Sequence, residues 1–464
     1  MKKLTFFAAF FMLAQLAFAG GLLTNTNQSA QFIRMMSRNA STGIDAVYFN
    51  PAGLIKMEDG WHFAVYNQTI FQTKPVDSEF LLLNDGYYEG TVNVPVFPTA
   101  FAVYKMDNWA FSLGFGPNAG GGSATYDRGL PSFEIPISKL PGLISSMGVP
   151  TTDYEVKMDF EGSSVFWGIQ LGATYSINDA IAVSVGARYL PSLNTYKGAI
   201  DSIKVNPTHP QINPNGEMML ATDFFGVAAP QYVGLVQNKT VDTKQTGAGI
   251  TPIIGVNISP SENLNIALKY EMKTKLELEN IPQGDDNYSE QLFGEGVRND
   301  LPAILGIGLG YNAGLIETQL SYTMYFNKGV TEWGPNVRDM VIWKDRDPLQ
   351  IRTREIDRNG MEIGLGLQFN VADNFAFSVG GLYGDMGIAE SYQSDFSYSN
   401  PSVTAGAGIQ WKITKALALD AGFSNTFYQD QTVSFNDPDL GASYSETLSK
   451  TTMNFAVGLS YSIF

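Results

Sequence analysis

Hydrophobic and polar residues alternate one by one along most of this chain. In the closing stretch Met453, Phe455, Val457, Leu459, Tyr461 and Ile463 share one side of an extended chain. Asn454, Ala456, Gly458, Ser460 and Ser462 share the other. Trp109, Phe111, Leu113 and Phe115 alternate in the same way with Ala110, Ser112, Gly114 and Gly116. Leu264, Ile266, Leu268 and Tyr270 alternate with Asn265, Ala267, Lys269 and Glu271. A strand turns successive side chains to opposite faces, so this pattern gives each strand one apolar and one small or polar face. Repeated about fourteen times, it predicts strands over 61–72, 94–105, 108–117, 163–177, 180–196, 241–258 and 264–278. The second half of the set is 301–311, 315–327, 361–371, 374–387, 402–413, 416–428 and 449–464.

Every second connection is a short turn rich in Asn, Asp, Gly, Pro and Ser, as at Met106-Asp107, Asn178-Asp179 and Ala372-Asp373. The intervening connections are long, most of all 118–162 and 197–240. Short turns at one end and long loops at the other, with aromatics such as Tyr175, Tyr189, Trp411 and Tyr461 near strand ends, are the layout of an outer-membrane barrel. The expected fold is all-β: a transmembrane antiparallel barrel of about fourteen strands over 61–464, both ends periplasmic.

The first nineteen residues carry Lys2 and Lys3, an apolar core from Leu4 to Leu16, and the small-x-small site Ala17-Phe18-Ala19. They read as a signal peptide, so the expected location is the outer membrane of a Gram-negative bacterium. Hydrophobic residues make up 44% of the chain, aromatics 12% and charged residues 16%, and Cys is absent. The net charge of −16, or −18 without Lys2 and Lys3, argues against nucleic-acid binding. No metal or cofactor is called for. The two histidines, His62 and His209, offer no catalytic constellation, and Gly306, Gly308 and Gly310 sit in a strand with no helix after them. An enzyme is not expected.

Residues 20–60 do not alternate. Phe32, Ile33, Met35 and Met36 suit a short helix over 28–38, and the segment is too apolar for a disordered tail. It is expected to fold back into the lumen as a plug. The inward glycines Gly308, Gly310, Gly364, Gly366, Gly406 and Gly408 either ease bends in the wall or leave volume for that plug.

Asp45-Ala46 followed by Asn50, Pro51, Ala52, Gly53 and Leu54, soon after a signal peptide and before the strands, resembles the FadL family of outer-membrane long-chain fatty acid and hydrocarbon transporters. The resemblance implies a fourteen-stranded barrel closed by a hatch. It also implies passage of hydrophobic molecules from an external groove to an internal pocket, then laterally into the membrane beside a kinked third strand. Gly114, Gly116, Pro117 and Asn118 match that kink, because Pro117 cannot donate to a ladder; a strand ending at its loop is the alternative.

The long loops are unusually apolar, and Leu140, Leu143, Ile144, Met218, Met219, Phe224, Phe225 and Val233 are expected to form a groove for an alkyl chain or to bury one another. Each buried methylene contributes about 0.8 kcal/mol, so a long chain needs no strong polar contact. In the lumen and hatch, Phe32, Met35, Met36, Tyr48 and Phe49 are expected to meet the chain. Arg34, Arg38, Arg188 and Lys269 either receive a carboxylate or pair with Asp45, Glu271, Glu317, Glu362 or Asp420. The expected partners are a fatty acid or hydrocarbon, together with outer-membrane lipid and lipopolysaccharide. A protein partner is not identified by the sequence. Two further readings remain at this point: a general porin, and a surface-cargo carrier of type IX secretion.

Overall fold

The computed structural model describes residues 24–289, 296–329, 333–335, 356–390 and 393–464. The signal-like segment 1–19 and loop acids such as Asp345 and Asp347 lie outside the described residues.

Fourteen strands close into one antiparallel barrel. In chain order β1 to β14 are Gly60–Ser78, Tyr87–Met106, Trp109–Tyr126, Tyr154–Asn178, Ile181–Val205, Lys239–Ser261, Leu264–Glu271, Ile304–Asn312, Ile316–Tyr325, Gly360–Ala372, Phe375–Asp385, Ser402–Lys412, Leu417–Tyr428 and Thr451–Ile463. Each pairs with its sequence neighbours, and β14 returns to β1 from Trp61–Ile463 to Thr73–Thr451. Closure matters because lipid offers no hydrogen bonds to a free strand edge.

The alternation explains the wall. Trp61, Phe63 and Val65 are exposed outward, whereas His62, Ala64 and Tyr66 are buried inward. Near the short turns, outward Trp61 meets Tyr104 (ring centroids 4.6 Å) and Trp109 meets Tyr175 (4.7 Å). With Trp411 and Tyr461 they make the aromatic band expected at a membrane–water boundary.

The strands differ from the sequence expectation mainly at the long-loop end. β1 to β5 run well past the bilayer-length segments that alternation marks. The loops at 118–162 and 197–240 therefore shrink to 127–153 and 206–238. The alternation fades there because both faces of these extensions meet protein or water. The seventh strand stops at Glu271 rather than 278, and Glu277–Pro282 pairs back onto β6. A hairpin of Gln431–Asp437 and Ala442–Leu448, read from sequence as loop, continues the wall above β1 through Val76–Leu448.

Residues 24–59 lie inside the barrel as a hatch. Helix α1 (Ala30–Met35) starts at Ser29, whose hydroxyl accepts the Phe32 amide (3.0 Å), and stops at Met36 in a left-handed conformation. Its backbone presses on the glycine-lined wall of β10 to β13. A Cβ on Gly380 would stand 1.8 Å from the Met35 carbonyl oxygen. Phe32 and Phe49 stack at 5.4 Å, and Ile33, Val47 and Leu54 complete a buried cluster with Tyr66, Phe101 and Val103 of the wall.

Gly380→Val is expected to leave the barrel folded and to displace the hatch. Limited proteolysis of the purified protein should then cleave within 24–56, while the strands stay resistant.

Candidate functional site

The run Asp45 to Gly53 works as an internal clamp. Arg38 donates to both Asp45 oxygens (2.8 Å each), and Ser29 (3.0 Å) and Ser41 (2.5 Å) donate to the same carboxylate. Burial alone would raise the Asp45 carboxyl. Arg38 and the two hydroxyls outweigh it and hold the group below the usual carboxylate range. The Asn50 amide donates to the Ser41 carbonyl (3.0 Å) and to Asn257 of β6 (2.8 Å). Pro51 opens a short 3-10 helix over Pro51–Lys56, and its carbonyl accepts from Thr174 of β4 (2.7 Å). Ala52 is fully buried, and at Gly53 a side chain would collide with the Asn50 amide and the Ser41 carbonyl.

The four cations singled out from the sequence are all engaged by carboxylates. Arg34 bonds Asp420 (3.0 Å) and Gln368 (2.6 Å) and contacts Ser378; Arg38 holds Asp45. Arg188 reaches Glu271 (2.6 Å) and Gln170, and Lys269 reaches the same Glu271 (2.7 Å) and the Tyr48 carbonyl (2.7 Å). The Tyr48 ring lies 4.9 Å from the Arg188 guanidinium and 4.4 Å from the Lys269 ammonium. Of the two fates left open above, the geometry places all four in ion pairs: Arg34–Asp420 fastens hatch to wall, Arg38–Asp45 lies within the hatch, and Arg188 and Lys269 share Glu271 on the wall. Phe32, Met35 and Phe49 are enclosed with them, while Met36 reaches the cavity above.

That cavity, of about 390 Å³, occupies the lumen between hatch and outer loops. Thr24 to Asn27 and Met36 form its floor. Ile70, Gln72 and Lys74 of β1, Val92 and Phe97 of β2, and Gly120 to Gly122 of β3 line one wall. Phe160, Tyr196, Tyr398, Tyr428 and Lys450 also face it. Lys74 escaped the sequence reading because the first strand was expected to end at Gln72; Lys450 fell inside the expected closing strand 449–464 but was not singled out. Extending its alternation by one step would have turned Lys74 inward.

On this side the wall is not fully zipped. β2 and β3 pair from Ala100–Phe115 to Met106–Trp109 and again at Val92–Ala124, but not between. Pro95 and Pro98 on β2 and Pro117 on β3 have no amide to donate there. β3 keeps its ladder to β4 through two irregularities, after Pro117 and after Gly120. Gly120 (φ +75°) and Gly122 (φ +123°) allow the second, because other residues rarely adopt that backbone. Thus Gly114, Gly116, Pro117 and Asn118 belong to a strand that bends and continues to Tyr126, not to a strand end. The freed groups are met locally. Asn67 accepts the Phe97 amide (3.0 Å), and Asn67 and Thr69 donate to the Pro95 carbonyl (3.2 and 3.0 Å). Gln28 donates to the Pro117 carbonyl (2.7 Å), and the Asn25 amide to the Asn118 carbonyl (3.1 Å).

Above the cavity the outer loops pack into one apolar cap. Leu140, Ile144, Phe224 and Phe225 are buried in its core, with Leu143, Met219 and Val233 against it and Met218 outside the cluster. The helices Leu140–Ser146 and Ala221–Ala228 turn these side chains onto each other. A separate pocket of about 40 Å³ lies beside them, lined by Phe133, Ile137, Phe160, Ile200, Val241 and Tyr288. Glu134, accepting from Tyr88 (2.7 Å) and Tyr154 (2.8 Å), pins the helix Pro131–Ser138 to the wall. Lys139, held by Asp437 and Asp439, ties the cap to the outer hairpin.

Asp420→Asn should leave Arg34 of the hatch buried without its counter-charge and weaken hatch docking by about 3–5 kcal/mol, read as faster hydrogen exchange over 24–56. Asp45 supplies a pH test. A depressed carboxyl contributes above its unfolded value and loses that contribution as pH falls through the folded one. Exchange protection of the hatch should therefore drop in acid below the ordinary carboxylate range, and Asp45→Asn should weaken protection at neutral pH and flatten the dependence.

No protein-family model matches the sequence, and no curated protein matches it. Solved structures do. A Pseudomonas aeruginosa FadL homologue superposes with a TM-score of 0.62 at 15% identity, over 96% of this chain and 99% of that one. The P. putida toluene transporter TodX gives 0.56 at 13%, over 91% and 94%. The Ralstonia pickettii toluene transporter TbuX gives 0.52 at 14%, over 91% and 94%. Over most of its length the chain shares the fold of the FadL homologue and the toluene transporters.

Proposed function

We propose that this protein is an outer-membrane barrel for passive uptake of long-chain fatty acids or similar hydrophobic compounds, which leave through the wall rather than through the hatch. The observation that carries this reading is the coincidence of three features at one level. The hatch blocks the straight path, a cavity of about 390 Å³ lies directly above it, and the unzipped β2–β3 seam borders that cavity. A hydrophobic molecule gains by leaving sideways, since each methylene exchanged from water to lipid contributes about 0.8 kcal/mol.

The route begins at the cap, where the apolar pocket around Phe133 and Ile137 offers a first resting place. It continues into the cavity, where Phe97, Ile70 and Met36 give apolar contact. It ends at the seam, which is covered by side chains and not by ladder bonds. Val94 crosses to Gly122 and Thr99 to Gly116. Shifting two side chains costs far less than breaking a zipped ladder. A general porin would need a water-filled lumen, and the buried hatch occupies that space. The toluene transporters of the same fold are named for a neutral aromatic hydrocarbon; the lysines lining this cavity favour a ligand that also has a polar end.

The chain has no cysteine, so a bridge across the seam can be introduced cleanly. A Cβ on Gly116 would lie 3.2 Å from that of Thr99, near disulfide geometry after a small adjustment. In cells producing Thr99→Cys/Gly116→Cys, uptake of a labelled long-chain fatty acid should fall to background when oxidised and recover on reduction. Full uptake with the bridge formed would overturn lateral release. Steady ion conductance of the native protein in a planar bilayer would favour a porin.

A further inference from the structure

Two lysines stand opposite each other on the cavity wall with no carboxylate between them among the described residues; the acids that line the same cavity, Glu362 and Asp385, are bonded to Tyr325 and Arg358. The β1–β14 ladder ends at Thr73–Thr451, and in the same register pairing resumes above it at Val76–Leu448. That register sets Lys74 directly across from Lys450. Both are in inward phase and both line the luminal cavity. Like charges directly opposite on a ladder repel, and half-burial lessens the screening by water. Among the described residues neither lysine lies within ion-pair distance of an acid, in contrast to Arg34, Arg38, Arg188 and Lys269 below. Asp395 is the acid whose charge acts on Lys74, and its two oxygens already accept the Ser132 and Phe396 amides.

The lysines are held rather than free to swing into solvent. Lys74 lies 4.9 Å from the Tyr398 ring centroid and Lys450 lies 4.8 Å from that of Tyr428. Those rings are fixed in turn, because Tyr398 donates to the Ser449 carbonyl (2.7 Å) and Tyr428 is within 3.3 Å of the Thr452 hydroxyl. Gln72 donates to the same Thr452 hydroxyl (2.7 Å). A cation over an aromatic face keeps its remaining N–H donors for a second partner. Both ammonium groups can therefore donate to one shared anion.

We propose that Lys74 and Lys450 form an anion station at the outer rim of the lumen, which receives the carboxylate of an amphipathic ligand while its alkyl part occupies the cavity. This rests on the uptake reading above and adds the ligand's charge to it. The station lies at the extracellular ends of β1 and β14, apart from the Arg188–Glu271–Lys269 network against the hatch, whose cations already have their counter-charge. An amphiphile is favoured over a free inorganic anion because Ile70, Leu382 and Phe97 line the same cavity. A single carboxylate between the two ammonium groups removes their repulsion and gains two charge-assisted hydrogen bonds.

The test compares dodecanoate, 1-dodecanol and inorganic phosphate as ligands of the purified full-length protein by calorimetric titration in a non-ionic detergent. Dodecanoate should bind about tenfold or more tightly than dodecanol, the difference expected of one good charge-assisted contact. Lys74→Gln/Lys450→Gln should erase that preference while leaving dodecanol affinity unchanged, and Lys74→Arg/Lys450→Arg should keep it. Unchanged dodecanol binding also shows that the glutamine variant is folded. If neither dodecanoate nor dodecanol binds, the uptake reading fails. If both bind equally, or if the glutamine variant keeps the preference, the station alone is overturned. Phosphate competing as strongly as dodecanoate would assign the lysines to a free anion and overturn the amphiphile assignment.

Discussion

A strand in a bilayer has to find every backbone hydrogen bond within the protein, and the rest of this structure follows from meeting that demand at one weak place. Thirteen hairpin or loop-connected pairings and the β14–β1 closure would suffice for a wall with no openings. The β2–β3 pairing does not run unbroken. Prolines 95, 98 and 117 remove donors, and the two bulges of β3 remove register, so this stretch cannot zip. The orphaned carbonyls and amides are then met by Asn67 and Thr69 on β1 and by Gln28 and Asn25 of the hatch. The polar residues at outward positions 67 and 69, which look out of place in an apolar lipid-facing row, have this explanation.

The same reasoning accounts for the charges below the cavity. A lumen occupied by protein is a poor solvent for ions, and a buried charge persists only when paired and bonded. Four cations and their acids, Asp45, Asp420 and the shared Glu271, form compact networks in which nearly every donor is used. Such networks specify position more than they add stability. Asp45 can be satisfied only when Ser29, Arg38 and Ser41 converge on it, so it fixes the helix α1 relative to the loop that follows. Lys74 and Lys450 break this rule within the same barrel, and that contrast singles them out.

Alternation made the barrel legible: each of the fourteen strands overlaps a segment that period-two patterning marked, because each spanning strand separates lipid from lumen and the sequence records both sides. It lost sight of structure where that separation ends. The outer halves of β1 to β5 and the hairpin 431–448 face water and neighbouring loops, so no single face had to stay apolar. Lys74 was missed for this reason. The clamp motif was visible as a pattern, yet its physics was not: that Asn50 bridges Ser41 to Asn257, or that Gly53 makes room for both, needs positions far apart in sequence. The apolar loops were legible as apolar. Whether Phe224 and Phe225 faced a groove or one another depended on helix orientation, which short segments of low periodicity do not encode.

Hatch and seam cannot be treated as independent parts. Gln28 donates its side-chain amide to Pro117 of β3 while its own carbonyl accepts from Thr99 of β2, and Asn27 accepts from Gln68 of β1. Thr24 bridges Ala119. One short segment therefore ties together both banks of the unzipped wall and the strand beside it. Extracting the whole hatch would break the buried Arg34–Asp420 pair and the Asn50–Asn257 and Lys269–Tyr48 bonds, leaving charged and polar groups of hatch and wall unpaired. Shifting only residues 24–28 forfeits a few bonds that water or a ligand's polar end can replace from the cavity. The inexpensive motion is thus the local one, and it lies where the cavity floor meets the seam.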